Sequence, residues 1–325
     1  MTNLKTDYLG ITLKNPIVVS SSGLTDSVSK IVRLEELGAG AVVLKSLFEE
    51  QINYEAGTMY QNGIYPEAND YIIKYSKTHS VEAYLKLIEG AKRQSGIPVI
   101  ASINCISSSG WVSFAKEIEA AGADALELNI FFVAQDKDKT AVDYESIYTD
   151  IITRVKEIIQ IPIAVKIGYY FTNLVAIVNK LYYRGAKGVV MFNRFFAPDI
   201  DIEHMRITAA SVFSNEADLR QSLRWIGIVS DRVKQIDIAA STGVHSGKAV
   251  IKQVLAGAKA VQLCSVLYQK GIEQIPVMIS ELEEWMQKKN YSTLDSFRGL
   301  LNYGQIQDPA LYERSQFMKY FSHYH

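Results

Sequence analysis

The chain has 325 residues, 48% of them apolar, with 34 Lys and Arg against 35 Asp and Glu and a formal net charge of −1; this suits one α/β barrel and gives no electrostatic basis for binding nucleic acid or an anionic membrane. Two cysteines, Cys105 and Cys264, exclude a disulfide framework and fit a reducing cytoplasm, while five histidines without HExxH or CxxC spacing give no metal site. No apolar run reaches the roughly 20 residues of a membrane span, and the first residues lack the basic-then-apolar order of a signal peptide.

In chain order, 4–13 holds two short apolar pieces around a Gly10 turn and is expected to be a hairpin plugging the bottom of a barrel. Eight nearly continuous apolar runs follow, at 16–20, 41–44, 98–102, 125–128, 163–166, 188–192, 237–240 and 260–264. Such runs are expected of parallel strands buried on both faces. Helical spacing fills the gaps at 27–37, 81–94, 111–121, 146–159, 172–183, 219–233 and 246–255, with a last helix at 279–288. Gly38-Ala39, Gly122-Ala123, Gly185-Ala186 and Gly257-Ala258 recur just before strands, as a helix ending in Gly and feeding a buried strand requires. Two long insertions, 49–78 after strand two and 195–215 after strand six, are expected to cover an active site. The order reads as a single (β/α)8 TIM barrel over 1–325.

Residues at the C-terminal ends of barrel strands face the reaction. Here they are Ser20-Ser21-Ser22-Gly23, Lys45-Ser46, Ser102-Ile103-Asn104, Glu127-Leu128-Asn129, Lys166-Ile167-Gly168, Asn193-Arg194, Ser241-Thr242-Gly243 and Cys264-Ser265. Any one Ser or Asn there is an ordinary turn former. Two lysines flush with buried strands are not, because each needs an anionic or acceptor-rich partner. The loops after strands seven and eight, with Thr242, Gly243, Cys264 and Ser265, occupy the usual phosphate site of this fold, ahead of a helix starting near Ser246.

Together these motifs resemble the dihydroorotate dehydrogenase family of FMN-containing barrels over essentially the whole chain. The resemblance rests on Lys14-Asn15-Pro16, Ser21-Ser22-Gly23, Leu44-Lys45-Ser46, Glu127-Leu128-Asn129, Val165-Lys166, Asn193, Ser241-Thr242-Gly243-Val244 and Cys264-Ser265. It implies an FMN-dependent oxidoreductase acting on a CH–CH bond of a small molecule, with hydride passing to the flavin. By the same resemblance, Lys166 lies by the pyrimidine edge of the flavin, where charge develops on reduction, and Lys45 at the flavin edge beside the substrate. Ser22, Ser102 and Asn129 contact the ring, and Gly23, Ser46 and Asn193 also bind the cofactor, with Asn193 reaching the substrate as well. Thr242, Gly243, Cys264 and Ser265 hold the phosphate. A cytoplasmic homodimer with an unspecified electron acceptor is also implied.

The substrate side departs from the family. Its base loop, Asn-x-Ser-Cys-Pro-Asn or the serine version, stands here as Asn129-Ile130-Phe131-Phe132-Val133-Ala134, and Phe132 accepts no proton. The loop after strand two is replaced by Tyr65-Pro66-Glu67-Ala68-Asn69-Asp70, and the Gly-Gly stretch before helix seven is missing. Tyr169 and Tyr170 are the nearest replacements for the base, with Tyr170 the candidate, or else aromatic packing over the mouth. Arg194 either pairs with an anionic substrate or is a solvated loop residue. Phe131, Phe132, Phe195 and Phe196 form either an apolar lid or ordinary loop packing. Two alternatives stay open: a Schiff-base aldolase or isomerase acting on a sugar phosphate through Lys166, and a non-catalytic flavin-binding protein.

Overall fold

Eight parallel strands close into a ring in the computed structural model, which describes residues 2–48, 69–105, 112–194 and 197–313, with only the backbone of 69–80, 105 and 112–113 considered. The hairpin strands β1 (Thr6–Tyr8) and β2 (Ile11–Leu13) come first, then β3 (Ile17–Val19), β4 (Ala41–Val43) and the short β5 (Leu47–Phe48). The chain goes on through β6 (Val99–Cys105), β7 (Ala125–Ile130), β8 (Ile163–Ile167) and β9 (Gly188–Met191). Next come β10 (Pro198–Asp201), β11 (Arg206–Ala209), β12 (Asp237–Ala240) and β13 (Ala260–Leu263). The ring runs β3-β4-β6-β7-β8-β9-β12-β13, and β13 pairs back on β3. This is the expected (β/α)8 barrel, with β5 lying beside β6 outside the eight.

Alternate residues of each strand face two separate cores. The outer face packs under α1 (Val28–Glu36), α2 (Asn69–Gln94), α3 (Val112–Ala120), α4 (Ala141–Lys156), α5 (Leu174–Tyr183), α6 (Leu219–Arg232) and α7 (Gly247–Ala256). The shorter α8 (Ser265–Lys270) and α9 (Gln274–Lys288) complete the shell. The inner face is lined by Ala41, Ala125, Ala164, Ala239 and Ala260, small enough to admit Tyr8, Leu9 and Leu13 from the hairpin. The Leu9 N–H donates to Asp237 Oδ2 at 2.7 Å, and a Cβ at Gly188 would lie 2.5 Å from Leu9 Cδ2. The hairpin therefore plugs the barrel, and Gly188 at the start of β9 leaves room for the Leu9 side chain.

Several predicted boundaries move, among them the last helix, which starts at Gln274 and not at 279. Helix α2 starts at Asn69, so part of the expected 49–78 insertion is helical; no Gly or Pro interrupts 69–89, and residues 49–68 lie outside the described residues. Helix α4 starts at Ala141, five residues before the predicted 146, because Thr140 and Asp143 form a reciprocal cap. The 195–215 insertion contains the antiparallel pair β10–β11, with Ile200 opposite Ile207 and both exposed. No helix among the described residues is long and apolar enough to cross a membrane.

Candidate active site

Strand β8 reads Ile-Ala-Val-Lys-Ile and is buried throughout, which carries Lys166 to the barrel mouth at 7% exposure. Lys166 Nζ donates to Ser20 Oγ and to Gln262 Oε1, each at 3.1 Å, and stands 3.6 Å from Glu127 Oε1. Gln262 Nε2 donates to Glu127 Oε2 at 2.6 Å, and the Ser20 hydroxyl donates to Gln262 Oε1 at 2.9 Å. A glutamate at 1% exposure is tolerable only beside a cation, and the network supplies one. Glu127 Oε1 still has no hydrogen-bond partner. Lys166 thus presents a charge already half answered from below.

Beside this network lies a cavity of about 540 Å³, lined by Ser20, Ser21, Lys166, Asn193, Arg194 and Gln262. Ser214, Thr242, Gly243, Cys264 and Ser265 line it as well. Behind Ser21 a chain of hydroxyls runs inward: Ser21 to Ser46 at 2.9 Å and Ser46 to Ser102 at 2.8 Å. The Ser102 N–H donates to the Tyr84 hydroxyl, which donates back to the Ser102 carbonyl. Burial pushes the Tyr84 phenol well above its usual range, so it stays a neutral hydrogen-bonding post. Asn193 Nδ2 donates to Asn129 Oδ1 at 3.0 Å, which holds both amides at the mouth.

The polar wall has its own local logic. Gly243 has φ +78°, and a Cβ there would fall 2.1 Å from the Leu219 nitrogen, so only glycine lets this loop pass under the start of α6. Thr242, at φ +75°, is held by its hydroxyl donating to the Phe192 carbonyl at 3.0 Å. The Gly243 N–H donates to Ser214 Oγ at 3.3 Å, and the Ser214 N–H donates to Ser265 Oγ at 3.0 Å. The expected helix terminus contributes differently. The Gly247 N–H at the start of α7 donates to Glu281 Oε2 at 2.7 Å, so an internal carboxylate already caps that end. Burial pushes the Cys264 thiol up, against the opposing effects of Lys166 and a hydrogen bond with Ser22.

Several anticipated residues lie elsewhere. Lys45 is exposed and does not line the cavity. Ser22 is a turn residue whose hydroxyl accepts the Leu24 N–H at 3.2 Å, and Gly23 allows close approach of the Tyr268 hydroxyl, 3.0 Å from where a Cβ would stand. Arg194 does line the cavity, but its guanidinium pairs with Asp218 at 2.7 Å and donates to the Ser211 and Val212 carbonyls, so it ties down the segment leading to Ser214. Tyr170 is 63% exposed and lines a neighbouring 530 Å³ cavity. Its hydroxyl stands 2.8 Å from that of Tyr169, and that contact, with burial, pushes the Tyr169 phenol up to about 12. Phe132 packs edge-on against Tyr148 at 5.8 Å; Phe195 and Phe196 lie outside the described residues.

Gln262, Tyr84 and Ser214 were not singled out from the sequence as site residues, and Ser20 and Glu127 stood only within strand-end runs, with no role. The signal for Gln262 was one polar residue within an otherwise apolar strand, and for Glu127 a carboxylate inside the Ala125–Ile130 run. The expected FMN fits what is present. The cavity is within the roughly 300–1,000 Å³ of small-molecule sites. Lys166 can answer charge on a flavin ring, and the hydroxyls of Ser214 and Ser265 in the same cavity can answer a phosphate. Among the described residues, no group of three or more His, Cys, Asp or Glu is placed to hold a metal ion.

The family model described as dihydroorotate dehydrogenase matches residues 3–286. Similar chains include the catalytic subunit of dihydroorotate dehydrogenase B (NAD(+)) from Thermoplasma acidophilum, 25% identical over 313 residues, covering 92% of this chain and 99% of that one. The same subunit from Methanocaldococcus jannaschii is 26% identical over 305 residues, covering 91% and 97%. Dihydroorotate dehydrogenase A (fumarate) from Lactobacillus delbrueckii subsp. bulgaricus is 26% identical over 305 residues, covering 87% and 95%.

Proposed function

This chain belongs to the dihydroorotate dehydrogenase family and is an FMN-dependent oxidoreductase acting on CH–CH groups, and on that premise we propose that its flavin lies in the 540 Å³ cavity over Lys166. When bound, FMN supplies the hydride acceptor. Lys166 sits where it favours negative charge on the ring, Ser20 and Gln262 orient it, and Asn129 with Asn193 present amides to ring or substrate. The Ser265 hydroxyl serves the phosphate, and the Thr242-Gly243 loop shapes its place. The observation that carries this reading is the buried Lys166 lining one cavity together with Ser214, Ser265 and the loop after β12.

The relatives are named for dihydroorotate, but the substrate side of this chain suits that molecule poorly. Oxidising its C5–C6 bond needs a base at C5. Phe132 is held in aromatic packing on Tyr148, and Ala134 offers no side-chain hydrogen bond to the substrate's imide. The Tyr169–Tyr170 pair is a poor replacement, because a phenol raised to about 12 carries almost no base at neutral pH. A positioned base is worth about 10²–10⁴-fold, so turnover of dihydroorotate is expected to be slower than that of a working enzyme by about that much. Anaerobic mixing of the oxidised protein with dihydroorotate, following flavin bleaching, tests this. Bleaching at ordinary enzyme rates overturns it. The names of the relatives carry NAD(+) and fumarate, so both belong in the reoxidation panel. The proposed working form is a one-domain chain in a cytoplasmic homodimer, which sedimentation equilibrium checks.

A further inference from the structure

Ser214 ends the second insertion and is buried against the polar wall of the cavity, as is His245 from the loop after β12. The Ser214 hydroxyl oxygen accepts the Gly243 N–H at 3.3 Å and stands 3.1 Å from His245 Nε2. Burial holds the His245 imidazole below its usual range; Lys270 acts in the same direction, while Glu216, Asp218 and a hydrogen bond with the Ser214 backbone oppose it. Near neutral pH the ring is therefore a hydrogen-bonding partner and not a counterion. A hydroxyl has two acceptor positions and one proton. The imidazole tautomer decides which partner donates in the His245–Ser214 contact. With the proton on Nε2, His245 fills one acceptor position of Ser214 and Gly243 fills the other, and the Ser214 proton is left to donate. The same count holds for Ser265, whose oxygen accepts the Ser214 N–H at 3.0 Å and whose proton remains. Both serines line the cavity.

We propose that Ser214 joins Ser265 as a hydroxyl donor to a phosphate monoester in this cavity, and that His245, carrying its proton on Nε2, is the positioning residue that fixes the Ser214 hydroxyl as a donor. The proposal rests on the FMN reading and adds to it a side-chain clamp that discriminates phosphorylated from unphosphorylated flavin. Hydrogen bonds to a charged acceptor are the strong ones, so the clamp acts on FMN and is silent toward riboflavin. Because His245 acts as a neutral donor, glutamine can replace it and alanine cannot.

The test loads the purified holoprotein with FMN or with riboflavin, then dilutes it and reads flavin release from the recovery of fluorescence. Ser214→Ala is expected to release FMN about tenfold faster or more, with riboflavin release unchanged. His245→Ala is expected to move FMN release the same way by less, and His245→Gln to restore most of the loss. The glutamine variant keeps the test decisive if Ser214→Ala does not fold. FMN release unchanged in the alanine variants overturns the clamp, as does parallel acceleration of both flavins, which marks a packing role only. Wild-type protein that retains both flavins equally also overturns the clamp while leaving the FMN reading intact. Wild-type protein that retains neither flavin overturns the FMN reading itself.

Discussion

Lys166 and Glu127 are a buried ion pair at 3.6 Å bridged by Gln262, and the two charges have different uses. Removing one partner of such a pair leaves an uncompensated charge, typically at about 3–5 kcal/mol. Lys166→Met is therefore expected to lower stability by about that much, and adding Glu127→Gln to restore most of it in urea unfolding. Flavin chemistry separates the two residues. With Lys166 gone, the reduction potential of the bound flavin is expected to fall, by up to about 2.7–4 kcal/mol of lost electrostatic stabilisation, and the double variant is expected to stay low. Recovery of the potential in the double variant, or no change in the single one, contradicts the placement of Lys166 under the ring. His245 gives a pH prediction. Its folded pKa lies below the usual 6.5, so the unfolded chain takes up a proton near pH 6.5 that the folded protein refuses. The contribution is fully present above pH 6.5, declines as pH falls from there to the native pKa, and is constant below it. Urea midpoints between pH 7.5 and 5 are expected to fall less steeply in His245→Gln than in the parent; equal slopes contradict this. Lys166 was legible in the sequence because one lysine interrupts an apolar strand. Ser214 was not, because it lies in an insertion with no periodicity to say which way it faces.

The strands were the most legible elements, since two-sided burial writes itself as a continuous apolar run, and all eight runs fall on ring strands. Helix starts were harder. The α4 cap is a Thr140-to-Asp143 pair in a polar stretch, and apolar spacing alone begins later at Tyr148 and Ile151. The proposed phosphate loop was legible as a strand end, but the start of α7 expected behind it is capped by Glu281, a carboxylate 34 residues further along the chain. The tightest joint between elements is Gly243 under α6. Gly243→Ala combines a left-handed backbone with a Cβ 2.1 Å from the Leu219 nitrogen. Left-handed strain alone is about 1–3 kcal/mol. The variant is expected to lose at least that much stability and to release FMN readily; a thermal midpoint and flavin occupancy matching the parent contradict the joint.

At the scale of the molecule, a plugged barrel sets a rigid floor, and the loops above it divide the work. The half proposed to meet the cofactor keeps the family pattern in Lys166, Asn129, Asn193, Gly243 and Ser265, and these residues were readable because the strand ends fix their place. The half that would meet the substrate is aromatic and apolar, in Phe131, Phe132, Val133 and Ala134, and the sequence of this segment names no ligand. One phosphate wall and the absence of a GxGxxG turn favour FMN over FAD. The most direct measurement is therefore to denature the purified protein and identify the released chromophore by absorbance and mass. Stoichiometric FMN is the expected result. A colourless protein, or one that releases FAD, contradicts the account.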